Sequence, residues 1–446
     1  MRTKIMLLLM VLSALLAACG SEPAATPTAV PAAPPAATTA AQPAATTAPA
    51  SSGQTTIKVM LVDYIKDKTD KWLQDEAIPA FQKAHPNIVV QPIYVTWSTL
   101  DETVQGYYTA GDGADILNLG SEYIAQYGDR LADLNQYLGE AAWPDIKQYL
   151  PSTLATVTWQ GKLRGLPWLT APRAYMCRTD LAPSSTTFKD AIANAKAGTK
   201  ADGGAVTQAG LVTTGRLDDW QEWIELIWAL GGQLYKDDGT PQFDSAEAKA
   251  ALQFMYDRRR AVYATETLAD LPEAKGSRLV DGTAACVWGS TWAGPPTGDA
   301  LWSKIDLQPS PIDATAFPKA KPVVQVFNDW LAVPSYSKHV AEAAEFLKFL
   351  GSAENQNRYN ADFGSFPPRS DAWTGYVAKD PVLQKMGALM QQYGVGFADI
   401  RESAKLREVL QKEMPAFFTD QQDLATTLAN IQKQYTQVLK DAGRLK

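Results

Sequence analysis

TTIKVMLVDY, running from Thr55 to Tyr64, reads as a buried β-strand, with Ile57, Val59 and Leu61 on one face and Met60 and Val62 on the other. The residues that follow carry Trp72, Leu73, Ile78 and Phe81 at helical spacing, and this helix ends near KAHPN. A second strand, NIVVQPIYV (87–95), comes next. A third β-like segment, ADILNLG (114–120), follows the turn AGDGAD, whose glycines suit tight backbone geometry. Strands alternating with helices predict an α/β lobe built on a largely parallel sheet.

The chain has 446 residues, more than one hydrophobic core usually organises, so two lobes are expected. Hydrophobic residues at 46% and charged residues at 20% are ordinary for a globular protein and exclude a wholly disordered chain. A formal net charge of -7 gives no electrostatic footprint for nucleic acid or an anionic lipid surface. The strand-to-helix rhythm continues beyond the first lobe. DDWQEWIELIWALGG (218–232) sets Trp220, Trp223, Ile224, Ile227 and Trp228 on one helical face, with Trp223 and Trp228 read as core and Trp220 free to face a cleft. Asp244 with Glu247, and Thr419 with Gln422, are spaced to start two further helices. Gly443 is placed to stop the last one.

Upstream of the first strand, Arg2 and Lys4 precede an apolar run from Ile5 to Ala18 that has the form of a secretory signal and is too short to span a bilayer. Leu16-Ala17-Ala18-Cys19 resembles a bacterial lipobox, in which Cys19 would be lipidated and become the mature N-terminus; ordinary signal cleavage nearby is the alternative. From Gly20 to Gln54, Ala, Pro and Thr fill 26 of 35 positions, so there is almost nothing to bury. This linker spans about 30 Å if flexible and on the order of 100 Å if Pro-stiffened. Residues 1–18 are thus expected to be a signal peptide, 19–54 a lipid-anchored tether, and 55–446 the folded part, outside the cytoplasm.

Three cysteines, Cys19, Cys177 and Cys286, match no zinc or CxxC spacing. Cys177 and Cys286 are left as either a disulfide of an oxidising compartment or a pair of buried thiols. His85 and His339 sit at helix ends and read as surface or capping residues. GxSxG, HExxH and GxxxxGK motifs are absent from the sequence, which argues against common hydrolase, metalloprotease and nucleotide sites. A glycosidase's two carboxylates leave no local motif, so an extracellular glycoside hydrolase stays open.

The 13 tryptophans are the positive signal. Trp97 follows the second strand in VTWSTLD, Trp288 and Trp292 flank a turn containing Ser290 in VWGSTWAGPP, and Trp330 adjoins Asn328 and Asp329 in FNDWLAVPS. An indole face packs on the C–H face of a pyranose, and neighbouring polar groups can bind its hydroxyls, so carbohydrate is the natural inference.

Eight stretches stand in order along the chain: FQKAHPNIVVQ, AGDGADILNLG, YGDRLADLNQYL, GKLRGLPWLTAPRAYMCRTDL, LGGQLYKDDGTPQFDSAEAKAALQFM, VDGTAACVWGSTW, AVPSYSKHVAEAAEFLKFLGSAENQNRY and FGSFPPRSDAW. Together they resemble the extracellular solute-binding proteins of ABC importers, in the branch that includes maltose-binding protein. The resemblance implies an α/β, two-lobed flytrap fold with an interlobe ligand cleft and a multi-segment hinge. Lobe one would hold about 55–168 and 323–368, and lobe two about 169–322 and 369–446. It implies a sugar or oligosaccharide ligand, ABC permease subunits as partners, no cofactor or metal, no catalysis, and a monomer touching the membrane only through its anchor. A non-sugar solute and a sensory role are alternatives. Carried over residue by residue, Trp292 matches the sugar-stacking aromatic. Asn328, Asp329 and Trp330 stand at the second crossover, Ser121 and Glu122 after the third strand, Asp63 and Tyr64 after the first, and Trp168 and Arg173 at the first crossover. Arg369 in GSFPPR also matches, as a ligand contact or a hinge ion pair. Cys177 replaces an aromatic common in relatives.

Overall fold

The computed structural model describes residues 53–445 apart from 213–218, 264–276 and 291–298. Trp292, Cys19 and the leader and most of the tether therefore lie outside the described residues. Eight strands form the main sheet: β1 (Thr55–Val62), β2 (Ile88–Val95), β3 (Ile116–Gly120), β4 (Gly165–Arg178), β5 (Cys286–Gly289), β6 (Ile305–Gln308), β7 (Val324–Ala332) and β8 (Gly394–Gly396). Their order is β6-β4-β7-β3-β1-β2, with β5 also paired to β4 and β8 to β7. As the alternation predicts, β1 pairs parallel to both β2 and β3. Antiparallel pairing enters with β7, which lies against both β3 and β4.

Two hydrophobic cores divide the described chain into lobes. One gathers β1 to β3, the helices between them, Trp168, Trp330 and the helix Val340–Leu350. The other gathers the second half of β4, the helices Trp220–Ala229 and Ala246–Val262, β5, β6 and the last two helices, Ser403–Phe418 and Leu424–Asp441. β4 and β7 run through both. The first half of β4 pairs with β7, and its second half pairs with β5 and β6. A third crossing, near Phe366, exchanges backbone hydrogen bonds with Thr170 of β4 at 2.9 Å each way.

Cys177 and Cys286 face each other in the β4–β5 ladder and form a disulfide. The helix Trp220–Ala229 departs from its one-faced expectation. Trp223, Ile224, Leu226, Ile227 and also Glu222 and Glu225 are buried, while Trp228 is only half-buried. The polar pair is accommodated by charge and hydrogen bonding: Glu222 meets the buried Arg258 and accepts from Tyr175 Oη at 2.8 Å, and Glu225 accepts from Trp288 Nε1 at 3.0 Å. Two predicted helix starts also shift. Ser245, next to Asp244, caps its helix by accepting from the Ala248 amide, and Asp423 caps the last helix by accepting from the Thr426 amide. Thr419 instead donates to the Pro415 carbonyl at 2.7 Å and so belongs to the end of the preceding helix. Gly443, at φ 68°, does end the last helix with left-handed backbone.

Candidate functional site

The cavity between the lobes follows from strand alternation on the hinge. Successive side chains of a strand point to opposite faces. On β4, Leu169, Ala171 and Arg173 face the cavity; on β7, Phe327 and Asp329 do. The intervening Trp168, Thr170, Asn328 and Trp330 point the other way and are buried. A register irregularity falls between Asp329 and Trp330, where a bulge can re-aim side chains. Tyr64, Trp97, Glu122 and Phe363 of lobe one and Gln221 of lobe two complete the wall of a cavity of about 270 Å³.

The lobe-one residues project from strand ends. Tyr64 follows β1, Glu122 follows β3, and Trp97 opens the helix Trp97–Ala110 behind a capping box made by Thr96 and Thr99. Trp97 is 42% exposed, unusual for so large an apolar side chain. Its ring lies 6.2 Å from Tyr64, which packs edge-on to Phe363 at 5.1 Å. Gly120 makes room for Glu122, because a Cβ there would stand 2.7 Å from Glu122 Oε2. Beneath it, Trp330 Nε1 donates to the Gly120 carbonyl at 2.7 Å.

The cavity mixes aromatic faces with a few charged groups. Tyr64 Oη donates to Asp329 Oδ2. Burial, with Glu122 adding to it, pushes the Asp329 carboxyl up to about 7, while the Tyr64 hydroxyl acts in the opposite sense. Burial also raises Glu122, against its own backbone amide, Arg407 and Arg173. Arg173 is held between rings, its guanidinium 4.2 Å from the centre of Phe327 and 5.0 Å from that of Trp288, and it donates to Gln221 Oε1. Burial lowers its pKa, and Asp219, Glu225 and Glu122 oppose that. Trp288, tied through Nε1 to the buried Glu225, backs Arg173 and does not line the cavity.

Of the sequence-derived candidates, Tyr64, Trp97, Glu122, Arg173 and Asp329 come together on this wall. Others sit behind it. Trp168 is fully buried against Tyr359, with ring centres 4.1 Å apart. Trp330 is core, and Trp220 packs on Phe397 at 5.4 Å. Asn328 accepts from Thr170 Oγ1 at 2.6 Å and donates to Thr156 Oγ1 at 3.0 Å, and its amide donates to Ser121 Oγ. Ser290 Oγ donates to the Pro172 carbonyl at 3.1 Å. Arg369 is an ion-paired clamp at the third crossing, on Asp371 at 2.7 Å, Asp145 at 3.2 Å and the Gly351 carbonyl at 2.6 Å. Asp63 is exposed beside Asp70, whose carboxyl burial and Asp63 together push up to about 7. Leu169, Ala171, Gln221, Phe327 and Phe363 were not anticipated. The alternation that includes Arg173 and Asp329 would have found Leu169, Ala171 and Phe327; Gln221 and Phe363 carry no local signal.

Among the described residues no three His, Cys, Asp or Glu side chains converge to hold a metal ion, and no helix is long and apolar enough to cross a membrane.

Solved structures share the fold. Maltose-bound MalE3 from T. maritima superposes with a TM-score of 0.68 at 21% identity, covering 86% of this chain and 99% of that one. The sugar-binding protein MalE from Xanthomonas citri gives 0.71 at 16% identity, covering 87% and 98%. A probable ABC transporter-binding protein from Deinococcus radiodurans is 26% identical over 274 residues, 53% of this chain and 62% of its own length. An uncharacterized ABC transporter extracellular-binding protein from Pyrococcus horikoshii is 24% identical over 62% of this chain and 64% of its own. The chain thus spans just under two thirds of the length of these curated relatives. The profile described as bacterial extracellular solute-binding protein matches residues 66–357, well over half of the sequence. The chain belongs to the bacterial extracellular solute-binding proteins.

Proposed function

We propose that this chain is the solute receptor of an ABC importer, lipid-anchored through Cys19 outside the cytoplasm, and that it carries a sugar or oligosaccharide from the interlobe cavity to a membrane permease. The observation that carries the reading is the cavity wall itself, where Trp97, Tyr64, Phe327 and Phe363 surround Glu122, Asp329, Arg173 and Gln221. Aromatic faces suit a pyranose, and carboxylates, guanidinium and amide suit its hydroxyls. Two carboxyls against one guanidinium disfavour a phosphate ligand. The Cys177–Cys286 disulfide agrees with an oxidising compartment. Maltose, bound in the similar T. maritima structure named above, supports the same class. Binding shifts the lobes toward closure only by as much as the closed form binds better, and the permease would read that form.

The test is a carbohydrate and polyol panel followed by tryptophan fluorescence, with Trp97→Ala as control. At least one sugar is expected to give a saturable change that the variant weakens; a silent panel counts against the reading. A second reading, glycoside hydrolysis, rests on Glu122 and Asp329 sharing one cavity. Chromogenic glycosides should not be turned over, and turnover lost in Asp329→Asn would favour hydrolysis.

A further inference from the structure

The two lobes touch at a second place besides the hinge. Arg444 follows the last helix and, through the apolar packing of Leu445, belongs with the lobe-two core. Its Nε donates to Glu402 Oε1 of the same lobe at 3.2 Å. Its other nitrogens reach lobe one, where Nη2 donates to the Gln126 carbonyl at 3.3 Å and Nη1 lies 3.7 Å from Asp129 Oδ2. Gln126 and Asp129 belong to the short helical segment that begins at Ser121 and includes the cavity residue Glu122.

Both lobe-two parts of this contact are aimed by left-handed backbone. Gly443, at φ 68°, turns the chain out of its helix so that Arg444 leaves the helix axis. Glu402, at φ 46°, adopts a conformation that costs a non-glycine residue and persists only where its surroundings impose it. The carboxylate so directed holds the guanidinium from behind. One arginine is therefore fixed on its own lobe and spends its remaining donors on the other.

We propose that Arg444 is an interlobe latch that holds the closed form through Asp129 and the Gln126 carbonyl and is released when the lobes part. This rests on the reading of the chain as a closing receptor. In the open form Arg444 keeps Glu402 and exchanges its lobe-one partners for water, so the contact weights the closed state alone. Arg407, also from lobe two, acts electrostatically on Glu122 across the same seam and adds to the effect. A partly exposed ion pair with one charged hydrogen bond weights the equilibrium modestly, about threefold to tenfold. Apparent solute affinity falls with the fraction of the competent form, by at most the same factor.

The experiment places spin labels at Glu102→Cys in lobe one and Lys249→Cys in lobe two, in a Cys19→Ser full-length chain, and reads interlobe distances by dipolar spectroscopy without ligand. Arg444→Ala is expected to lower the closed-to-open ratio about threefold to tenfold with an unchanged circular-dichroism spectrum. Asp129→Asn should lower the ratio as well, and Arg444→Ala combined with Asp129→Asn should lower it little further than Arg444→Ala alone. Identical distance distributions in wild type and Arg444→Ala would overturn the latch, as would Arg444→Ala and Asp129→Asn effects that simply add. The closing-receptor reading fails separately, when no sugar in a broad panel moves the wild-type distances.

Discussion

Replacing Asp329 with Asn should change the pH dependence of stability in a direction set by its burial. The carboxyl goes from an ordinary value of 3.8 to about 7 in the folded chain. A raised folded value means that the native state holds its proton longer than the unfolded one. The associated stability is present in full below about pH 4 and is lost as pH rises through about 7. Between about pH 4.5 and 8.5 the two values imply a loss of about 3 kcal/mol from this one group. The Asn side chain removes the titration but keeps an oxygen to accept from Tyr64 Oη, so the substitution adds at most a pH-independent offset of about 1 kcal/mol. Asp70, also pushed up to about 7, titrates in both proteins and cancels in the difference. Urea denaturation of the ligand-free chains at half-unit steps would therefore show Asp329→Asn gaining about 3 kcal/mol on wild type from acid to alkaline pH. Parallel curves would refute the idea that Asp329 is a desolvated carboxyl facing the cavity.

Other consequences follow from the same geometry. Trp97→Ala should weaken binding of any sugar that alters wild-type fluorescence by about 10-fold to 100-fold, as expected for loss of an aromatic platform. Its melting temperature should stay within about 2 °C of wild type because the ring is already 42% exposed. Joint Cys177→Ser and Cys286→Ser replacement should lower stability by about 4–5 kcal/mol, since the bridge closes a separation of 109 residues; an unchanged urea midpoint would contradict this. Arg369→Ala should cost about 1.5–3 kcal/mol, mainly by removing the buried charged hydrogen bond to the Gly351 carbonyl, because Asp371 and Asp145, 36% and 53% exposed, are taken up by water. Titration calorimetry on the surviving fold should show ligand contacts intact, because Arg369 does not line the cavity.

The fold was largely legible because its signals are periodic. β1 announces itself by the unbroken apolar run from Val59 to Val62, Met60 and Val62 filling the face that Ile57, Val59 and Leu61 leave open. The hinge was harder for a physical reason. A strand buried on both faces has apolar or aromatic residues on both, so the sequence does not say which parity meets the ligand. Trp168 and Trp330 look like platforms, yet each lies one residue out of phase with the cavity, while Arg173, Asp329 and the less conspicuous Phe327 are in phase. Trp97 was accessible to reasoning because it sits outside any strand, at the start of a polar-flanked helix. Gln221 was not, since its neighbours Trp220, Glu222 and Trp223 are all buried and only the packing of the helix turns it toward Arg173.

The most direct test is a crystal structure of the chain with the sugar that raises its melting temperature most; a ligand present at about 100 Kd stabilises by about 2.7 kcal/mol. A pyranose ring is expected to lie against Trp97 above Phe327 and Ala171, with hydroxyls within about 3.2 Å of Asp329 or Glu122. A sugar bound elsewhere on either lobe, leaving this cavity unchanged, would contradict it.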